Sequence, residues 1–123
     1  MYKFGKKSLE NLSTCHPDLI EIAERVVVDM DISCQSGMRG EVEQDILYKK
    51  GYSKLKYPES AHNNIPSLAG DFVPCPSYWN SIPELVRMRE LFSYWAGMLG
   101  YKLKPMIIFK DGTGDYPHVE LDI

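Results

Sequence analysis

Apolar residues recur at helical spacing in two stretches of the chain. In the first stretch they are Leu19, Ala23, Val26 and Met30. Their intervals of four, three and four residues place them on one face of a helix. We expect this helix to begin at Pro17, because proline suits the first helical turn. A longer helix is predicted over 83–99, ended by Gly100. Its apolar stripe comprises Leu85, Met88, Phe92, Trp95 and Leu99.

Short apolar runs bounded by turn residues predict strands elsewhere in the chain. A third helix is predicted over 41–50, because two lysines in its last turn and Gly51 just beyond form a stop signal. Helices and short strands mix without the regular alternation of a parallel βαβ sheet, so the pattern predicts an α+β fold. The predicted strands lie at 32–35, 68–73, 106–109 and 118–121.

The length and charge narrow the class of protein. The 123 residues suit a single domain over 1–123, long enough to bury one core. Fourteen basic residues against 17 acidic ones give a formal net charge of −3. That balance argues against a nucleic-acid binder, which masses Lys and Arg on one face. No stretch approaches ~18 uninterrupted apolar residues, so no membrane span is expected. We expect a monomer that binds neither nucleic acid nor membrane.

The three cysteines, Cys15, Cys34 and Cys75, are far apart in the sequence. A disulfide framework in a small secreted domain normally has an even number of cysteines, so we expect reduced thiols. No CxxC pair is present, which argues against a structural zinc knuckle. Cys34 lies in an apolar run, and we expect it in the core.

Two histidines and two aspartates are the candidates for chemistry. Zinc in a hydrolase typically takes three ligands from His and carboxylate side chains and leaves a fourth position for water. His62, Asp71 and His118 could supply those ligands if the sheet brings them together. Asp115 lies three residues before His118, where a carboxylate could take a proton from water beside the metal. By spacing alone, polar surface or core histidines and an acidic turn residue remain the commoner interpretation.

Four ordered motifs run through the whole chain. With them the chain resembles the M15 family of zinc peptidases, in particular its phage endolysin branch. The resemblance implies an α+β fold of the hedgehog/DD-peptidase type, with a short, mainly antiparallel sheet packed against helices. The matching segments are 2–4, 8–13 and 16–19 near the start, 37–39, Gln44 and 51–54 in the middle, Ser60-x-His62 with Ala69-x-Asp71, and the ending 115–121.

The resemblance also implies a metal site and a catalytic base. His62, Asp71 and His118 would hold one zinc ion. Asp115 would be the catalytic base and then the acid that protonates the leaving amine. Asp111, in the same Gly-rich turn, is the alternative base.

Further roles come from the middle motifs. The resemblance implies that Arg39 binds a substrate carboxylate or supports the developing oxyanion, tasks that suit a guanidinium fork. Gln44 and Ser60 would either support the site or donate hydrogen bonds to substrate. Gly37 and Gly40 flank Arg39, so we expect a sharp bend that points its side chain into a cleft. His16 precedes the first predicted helix and is expected to cap or pack against it.

The function that the resemblance implies is hydrolysis of the L-alanyl-D-glutamate bond in the stem peptide of peptidoglycan. Two alternatives stay open: a D-alanyl-D-alanine carboxypeptidase on the same scaffold, and a catalytically inactive wall-binding or virion protein. The first twelve residues are not followed by the apolar segment of a secretory signal. We therefore expect synthesis in the bacterial host's cytoplasm, and action on the cell wall after a separate protein permeabilises the membrane.

Overall fold

The computed structural model describes residues 1–123, which form four α-helices around a three-stranded sheet. The predicted α+β class is confirmed. No helix is both long and apolar enough to cross a membrane. In chain order the elements are α1 Lys6–Leu12, α2 Pro17–Asp29, β1 Ile32–Ser36, α3 Glu41–Lys49, a single 3₁₀ turn at Ala61–Asn63, β2 Ala69–Pro74, α4 Ile82–Leu99 and β3 His118–Glu120.

The sheet is antiparallel throughout, with β2 between β1 and β3. Its register places Asp71 of β2 opposite Ser36 on one side and opposite His118 on the other. An irregularity between Cys34 and Ser36 bends the first strand where it leaves the sheet. The central strand therefore carries Asp71 at the point where both neighbouring strands reach the candidate site.

One core lies between the sheet and the two long helices. The predicted apolar face of α2 is buried, and α4 packs against both α2 and β2. Phe92 of α4 meets Phe72 of β2 with their ring centroids 4.8 Å apart. Each such fully buried side chain contributes roughly 1.5–3 kcal/mol of hydrophobic stabilisation. Cys34 is 1% exposed, so its predicted place in the core is confirmed.

Local signals account for the ends of both long helices. The His16 side chain accepts a hydrogen bond from the Asp18 backbone N–H at 3.1 Å, which caps α2 ahead of Pro17. The predicted capping role of His16 is therefore confirmed. Gly100 ends α4 in the left-handed conformation, with φ of 81°, which glycine adopts without the steric cost of a side chain.

The strand predicted over 106–109 is wrong. This segment makes only an isolated bridge between Ile108 and Gly114, within its own turn. Phe109 N–H donates to the Thr113 carbonyl, and Asp115 N–H donates to the Ile107 carbonyl, both at 2.8 Å. The apolar run therefore pairs with the turn that follows it instead of joining the sheet. The side chains of Ile107, Ile108 and Phe109 stay exposed beside the candidate site.

Candidate metal centre

Three side chains from three separate segments converge beside the sheet. His62 comes from the 3₁₀ turn, Asp71 from β2 and His118 from the start of β3. His62 Nε2 lies 3.3 Å from His118 Nδ1 and 3.4 Å from Asp71 Oδ1. His118 Nδ1 lies 3.6 Å from the same Asp71 oxygen. Two nitrogens and one carboxylate oxygen thus form a compact triangle of potential ligand atoms.

The size and chemistry of this triangle fit zinc. Ligand atoms ~2.0–2.1 Å from a tetrahedral zinc ion lie about 3.3–3.4 Å from one another. The edges of the triangle, 3.3 to 3.6 Å, agree with that separation. Two imidazoles and one carboxylate are also a usual donor set for a hydrolytic zinc site with a free fourth position.

His62 is oriented by the loop before α3. Its Nδ1–H donates to the Gly37 carbonyl at 2.7 Å, which leaves the Nε2 lone pair facing the centre. Ser60 caps the turn that carries the histidine: its hydroxyl accepts from the His62 N–H at 3.2 Å, and its own N–H donates to Asn63 Oδ1 at 3.0 Å. Ser60 was expected either to support the site or to bond to substrate, and this cap is a supporting role.

His118 is oriented by Glu120, a residue for which the motifs suggested no role. The Nε2–H of His118 donates to Glu120 Oε1 at 2.9 Å, which leaves Nδ1 facing the centre. The second Glu120 oxygen pairs with the Lys104 ammonium at 2.9 Å. Residues two apart on a strand share a face, so the His-x-Glu spacing was an available signal. Burial by itself lowers the pKa of His118, but hydrogen bonds with Asp71 and Glu120 outweigh burial and raise it.

Arg39 is paired with Asp71. Its Nη2 donates to Asp71 Oδ2 at 2.7 Å, while its Nε donates to Ser36 Oγ at 3.3 Å. Burial by itself raises the pKa of Asp71, but hydrogen bonds from His118 and His62 and the charges of His62 and Arg39 hold it well below its usual range. The structure therefore gives the predicted substrate-binding guanidinium a different partner, the carboxylate of the candidate centre.

Gln44 lies beneath the cleft wall. Its side chain is 0% exposed. Its amide nitrogen donates to Ser53 Oγ at 2.8 Å and to the Leu55 carbonyl at 2.7 Å, and its oxygen accepts from Asn63 at 3.2 Å. With the amide fully used inside the protein, Gln44 supports the loop after α3 and does not reach substrate. Of its two predicted roles, the structure supports only the first.

The structure requires glycine at position 37 but not at position 40, and the reason is not the predicted bend. Neither lies in the left-handed region, and Gly40 has an extended backbone with φ of −81° and ψ of 179°. A Cβ on Gly37 would lie 2.3 Å from both the Asn11 carbonyl oxygen and Thr14 Oγ1, whereas a Cβ on Gly40 would meet nothing within 4 Å. Glycine is required at position 37 because the loop passes so close to the end of α1.

Asp115 and Asp111 occupy different surroundings. Asp115 is half-buried and lines the same cleft as the three candidate ligands. Burial raises its pKa, as does the charge of Asp71, while the charges of His118 and Arg89 oppose the rise. Asp111 is exposed and accepts hydrogen bonds from the Thr113 N–H at 2.9 Å and hydroxyl at 2.6 Å. Asp115, and not Asp111, is therefore the carboxylate available beside the centre.

The cleft over the candidate centre has a volume of about 660 Å³. Its floor is the metal triangle with Arg39 and Asp115. Two loops form its walls, the one that follows α3 and the one that precedes β3. Lys54 lies on the first wall and Lys110 on the second, and Trp79, from the segment between β2 and α4, also lines the cleft.

Comparison with known proteins agrees with this geometry. A family model described as phage L-alanyl-D-glutamate peptidase matches residues 1–121. The L-alanyl-D-glutamate peptidase of Escherichia phage T5 is 30% identical over 135 positions, covering 98% of each chain. The crystal structure of Serratia marcescens L-Ala D-Glu endopeptidase ChiX shares the fold, with a TM-score of 0.80 and 21% identity over 98% of this chain and 91% of that one. The resemblance to the phage endolysin branch is confirmed, and the chain belongs to the phage L-alanyl-D-glutamate peptidase family.

Proposed function

We propose that this protein is a zinc-dependent endopeptidase that hydrolyses the L-alanyl-D-glutamate bond of peptidoglycan. One observation carries the proposal: a His–Asp–His triangle of zinc dimensions and a half-buried aspartate lie in one open cleft. The family and its phage T5 member, named for that peptidase activity, support the choice of bond. We also propose that the chain acts as a single domain and as a monomer.

The three convergent atoms are the proposed ligands of one zinc ion: His62 Nε2, Asp71 Oδ1 and His118 Nδ1. Zinc held there supplies Lewis-acid chemistry, which polarises a carbonyl and makes water a stronger acid. In each ring the other nitrogen donates its hydrogen, from His62 to the Gly37 carbonyl and from His118 to the Glu120 carboxylate. The proposed ligand nitrogen of each ring therefore keeps a lone pair for the metal. The low pKa of Asp71 keeps its carboxylate ionised.

Asp115 is the proposed proton carrier. Its carboxylate accepts a proton from the attacking water and passes it to the amine nitrogen as the C–N bond breaks. The raised pKa, caused first by burial, brings its proton affinity closer to that of a base working near neutral pH. Asp71, with its lowered pKa and its pairing to Arg39, is unsuited to exchange protons, so the two carboxylates have separate tasks.

The substrate is the peptide of the cell wall. We propose that the protein is made in the bacterial host's cytoplasm and reaches the wall once another protein has permeabilised the membrane. An inactive wall-binding protein would not need Asp115 beside an intact triangle of ligand atoms, so the arrangement favours an enzyme.

Mass analysis of digested peptidoglycan tests the bond that is cut. Purified sacculi treated with the zinc-loaded protein should yield fragments with a new amino-terminal D-glutamate. Asp115→Asn, treated identically, is the control for contaminating hydrolases. Release of free D-alanine would instead identify a carboxypeptidase on this scaffold, and an unchanged digest would identify an inactive relative.

A further inference from the structure

We propose that Lys54 and Lys110 bind the free α-carboxylate of the D-glutamate residue on the leaving side of the scissile bond. This inference rests on the proposed function and adds a substrate requirement to it. It assigns the cleft a preference for stem peptides whose D-glutamate is unmodified over those in which this carboxylate is a carboxamide.

The cleft contains three cationic side chains, and only two of them are free. Arg39 is held by Asp71 at 2.7 Å. No ion pair of the protein includes Lys54 or Lys110, so neither ammonium lies within 4.0 Å of a carboxylate oxygen. A carboxylate that enters the cleft therefore finds its available cations on the walls and not at Arg39.

The two lysines come from the two loops that form the cleft walls. Lys54 lies in the loop after α3, and Gln44 holds that loop by hydrogen bonds to the residues on either side of it, Ser53 and Leu55. Lys110 lies in the turn before β3. Lys54 and Lys110 both line the cleft. Both walls thus bring a positive charge to one opening.

The substrate has a carboxylate in the corresponding place. In the stem peptide, D-glutamate continues through its side-chain carboxyl, so its α-carboxylate is free on the carbon bonded to the scissile nitrogen. When the scissile carbonyl lies over the metal triangle, this carboxylate must lie within the same cleft. Asp115 lines the floor there and repels it, because Asp115, unlike Asp71, has no arginine paired with it. Two lysines on the walls offset that repulsion.

The overall charge of the chain gives an anionic peptide no attraction, so any attraction must come from cations in the cleft. At a net charge of −3, the protein as a whole does not attract an anionic peptide. Lysine is a compact charge on a flexible stem, which suits a carboxylate that approaches from an open side. Because both lysines are exposed, each contact is modest and sensitive to salt.

The experiment compares two muropeptides that differ in one group, the α-carboxylate of D-glutamate or its carboxamide. The kcat/KM of each is measured for the wild type, for Lys54→Met, for Lys110→Met and for the double variant. Lys56→Met is the matched control, because Lys56 lies over the Tyr48 ring outside the cleft. Zinc content and thermal midpoint are recorded for every variant.

The wild type should have a higher kcat/KM for the carboxylate peptide than for the carboxamide peptide. In the double variant the ratio of these two values should fall roughly 3- to 20-fold, the contribution of two exposed ion pairs. The carboxamide peptide should be cut equally by all variants, and Lys56→Met should behave as the wild type. If the double variant keeps the wild-type preference, or the wild type cuts both peptides equally, the carboxylate site is refuted while the proposed function stands. If the zinc-loaded wild type cuts neither peptide, both proposals fall.

Discussion

At the scale of single residues, each histidine of the candidate centre is oriented by one hydrogen bond on the ring nitrogen that faces away from it. For His62 the acceptor is a backbone carbonyl, that of Gly37, and for His118 it is the Glu120 carboxylate. Such partners decide which nitrogen can bind a metal and hold the ring in place. Glu120 is in turn paired with Lys104, so its charge is partly balanced before a metal binds.

Replacement of the proposed base should separate metal binding from chemistry. Asp115→Asn should retain zinc and lose ~10²–10⁴-fold in kcat, the usual contribution of a positioned base. Metal analysis and muropeptide hydrolysis measure the two effects. Asp111→Asn is the matched control, since Asp111 bonds only within its own turn, and it should keep wild-type activity. The opposite result from the two variants would make Asp111 the base.

The same substitution should change how stability depends on pH. Burial raises the pKa of Asp115 in the folded state, so the folded state binds this proton more tightly than the unfolded state does. The free energy of unfolding therefore falls as pH rises through that pKa and Asp115 ionises. In protein treated with chelator, Asp115→Asn should therefore raise the thermal midpoint at pH 7. At about pH 3, below the ~3.9 of an unfolded aspartate, the two proteins should melt alike. A difference that is equal at both pH values would contradict the burial argument.

Arg39 should act on the metal through Asp71. Because its guanidinium holds Asp71 Oδ2, Arg39→Met should weaken zinc affinity roughly 10- to 100-fold, as loss of a partner behind a ligand does. Competition with a chromophoric chelator measures this affinity. At saturating zinc, KM for a muropeptide should stay near the wild-type value. Unchanged zinc affinity with a raised KM would instead restore the role in substrate binding that the motif suggested.

At the scale of secondary structure elements, the site depends on how the central strand is flanked. β2 places Asp71 opposite His118 through antiparallel register, so two of the three candidate ligands are positioned by backbone pairing. The third, His62, comes from a short turn that must be held by other contacts. The loop before α3 does this, since its Gly37 carbonyl and Arg39 N–H both bond to His62.

A methyl group at Gly37 should disturb that loop. Gly37→Ala places a Cβ against the Asn11 carbonyl and Thr14, so the loop must shift, at a cost of roughly 1–3 kcal/mol in the free energy of unfolding. The shift should also lower zinc affinity, because the Gly37 carbonyl orients His62. Urea denaturation and chelator competition measure the two effects. Gly40→Ala, which meets open space, should cost less than about 1 kcal/mol and leave zinc affinity unchanged.

At the scale of the whole molecule, metal binding and folding stability should be coupled. The three candidate ligands come from segments that meet only in the folded chain, so zinc should bind the native state in preference. At a zinc concentration of 100 times Kd, the native state should gain about 2.7 kcal/mol. Thermal melts with zinc and with chelator measure the gain. His118→Ala should remove the difference between the two melts; if it persists, zinc binds elsewhere.

The fold was predictable where local pattern decides it. Both long helices depend on residues that are near neighbours in sequence: the periodic apolar face, the cap at His16 and the glycine at position 100. The structure confirms each of these predictions. The strand predicted over 106–109 is wrong, because an apolar run resembles a buried strand whether or not a partner strand lies beside it. Here its hydrogen bonds go to its own turn.

The sequence by itself determined the α+β class, the core helices, the family and the residue types of the candidate centre, because periodicity and ordered motifs are properties of the linear chain. Tertiary structure decided which partner each polar group meets. Arg39 lies 32 residues from Asp71 in sequence, and Gln44 lies 19 residues from Asn63. Strand register and the paths of the loops bring such pairs together, and neither can be predicted from the spacing of neighbouring residues. For this reason the structure pairs Arg39 with the carboxylate of a candidate ligand, buries Gln44 and places Glu120 behind His118.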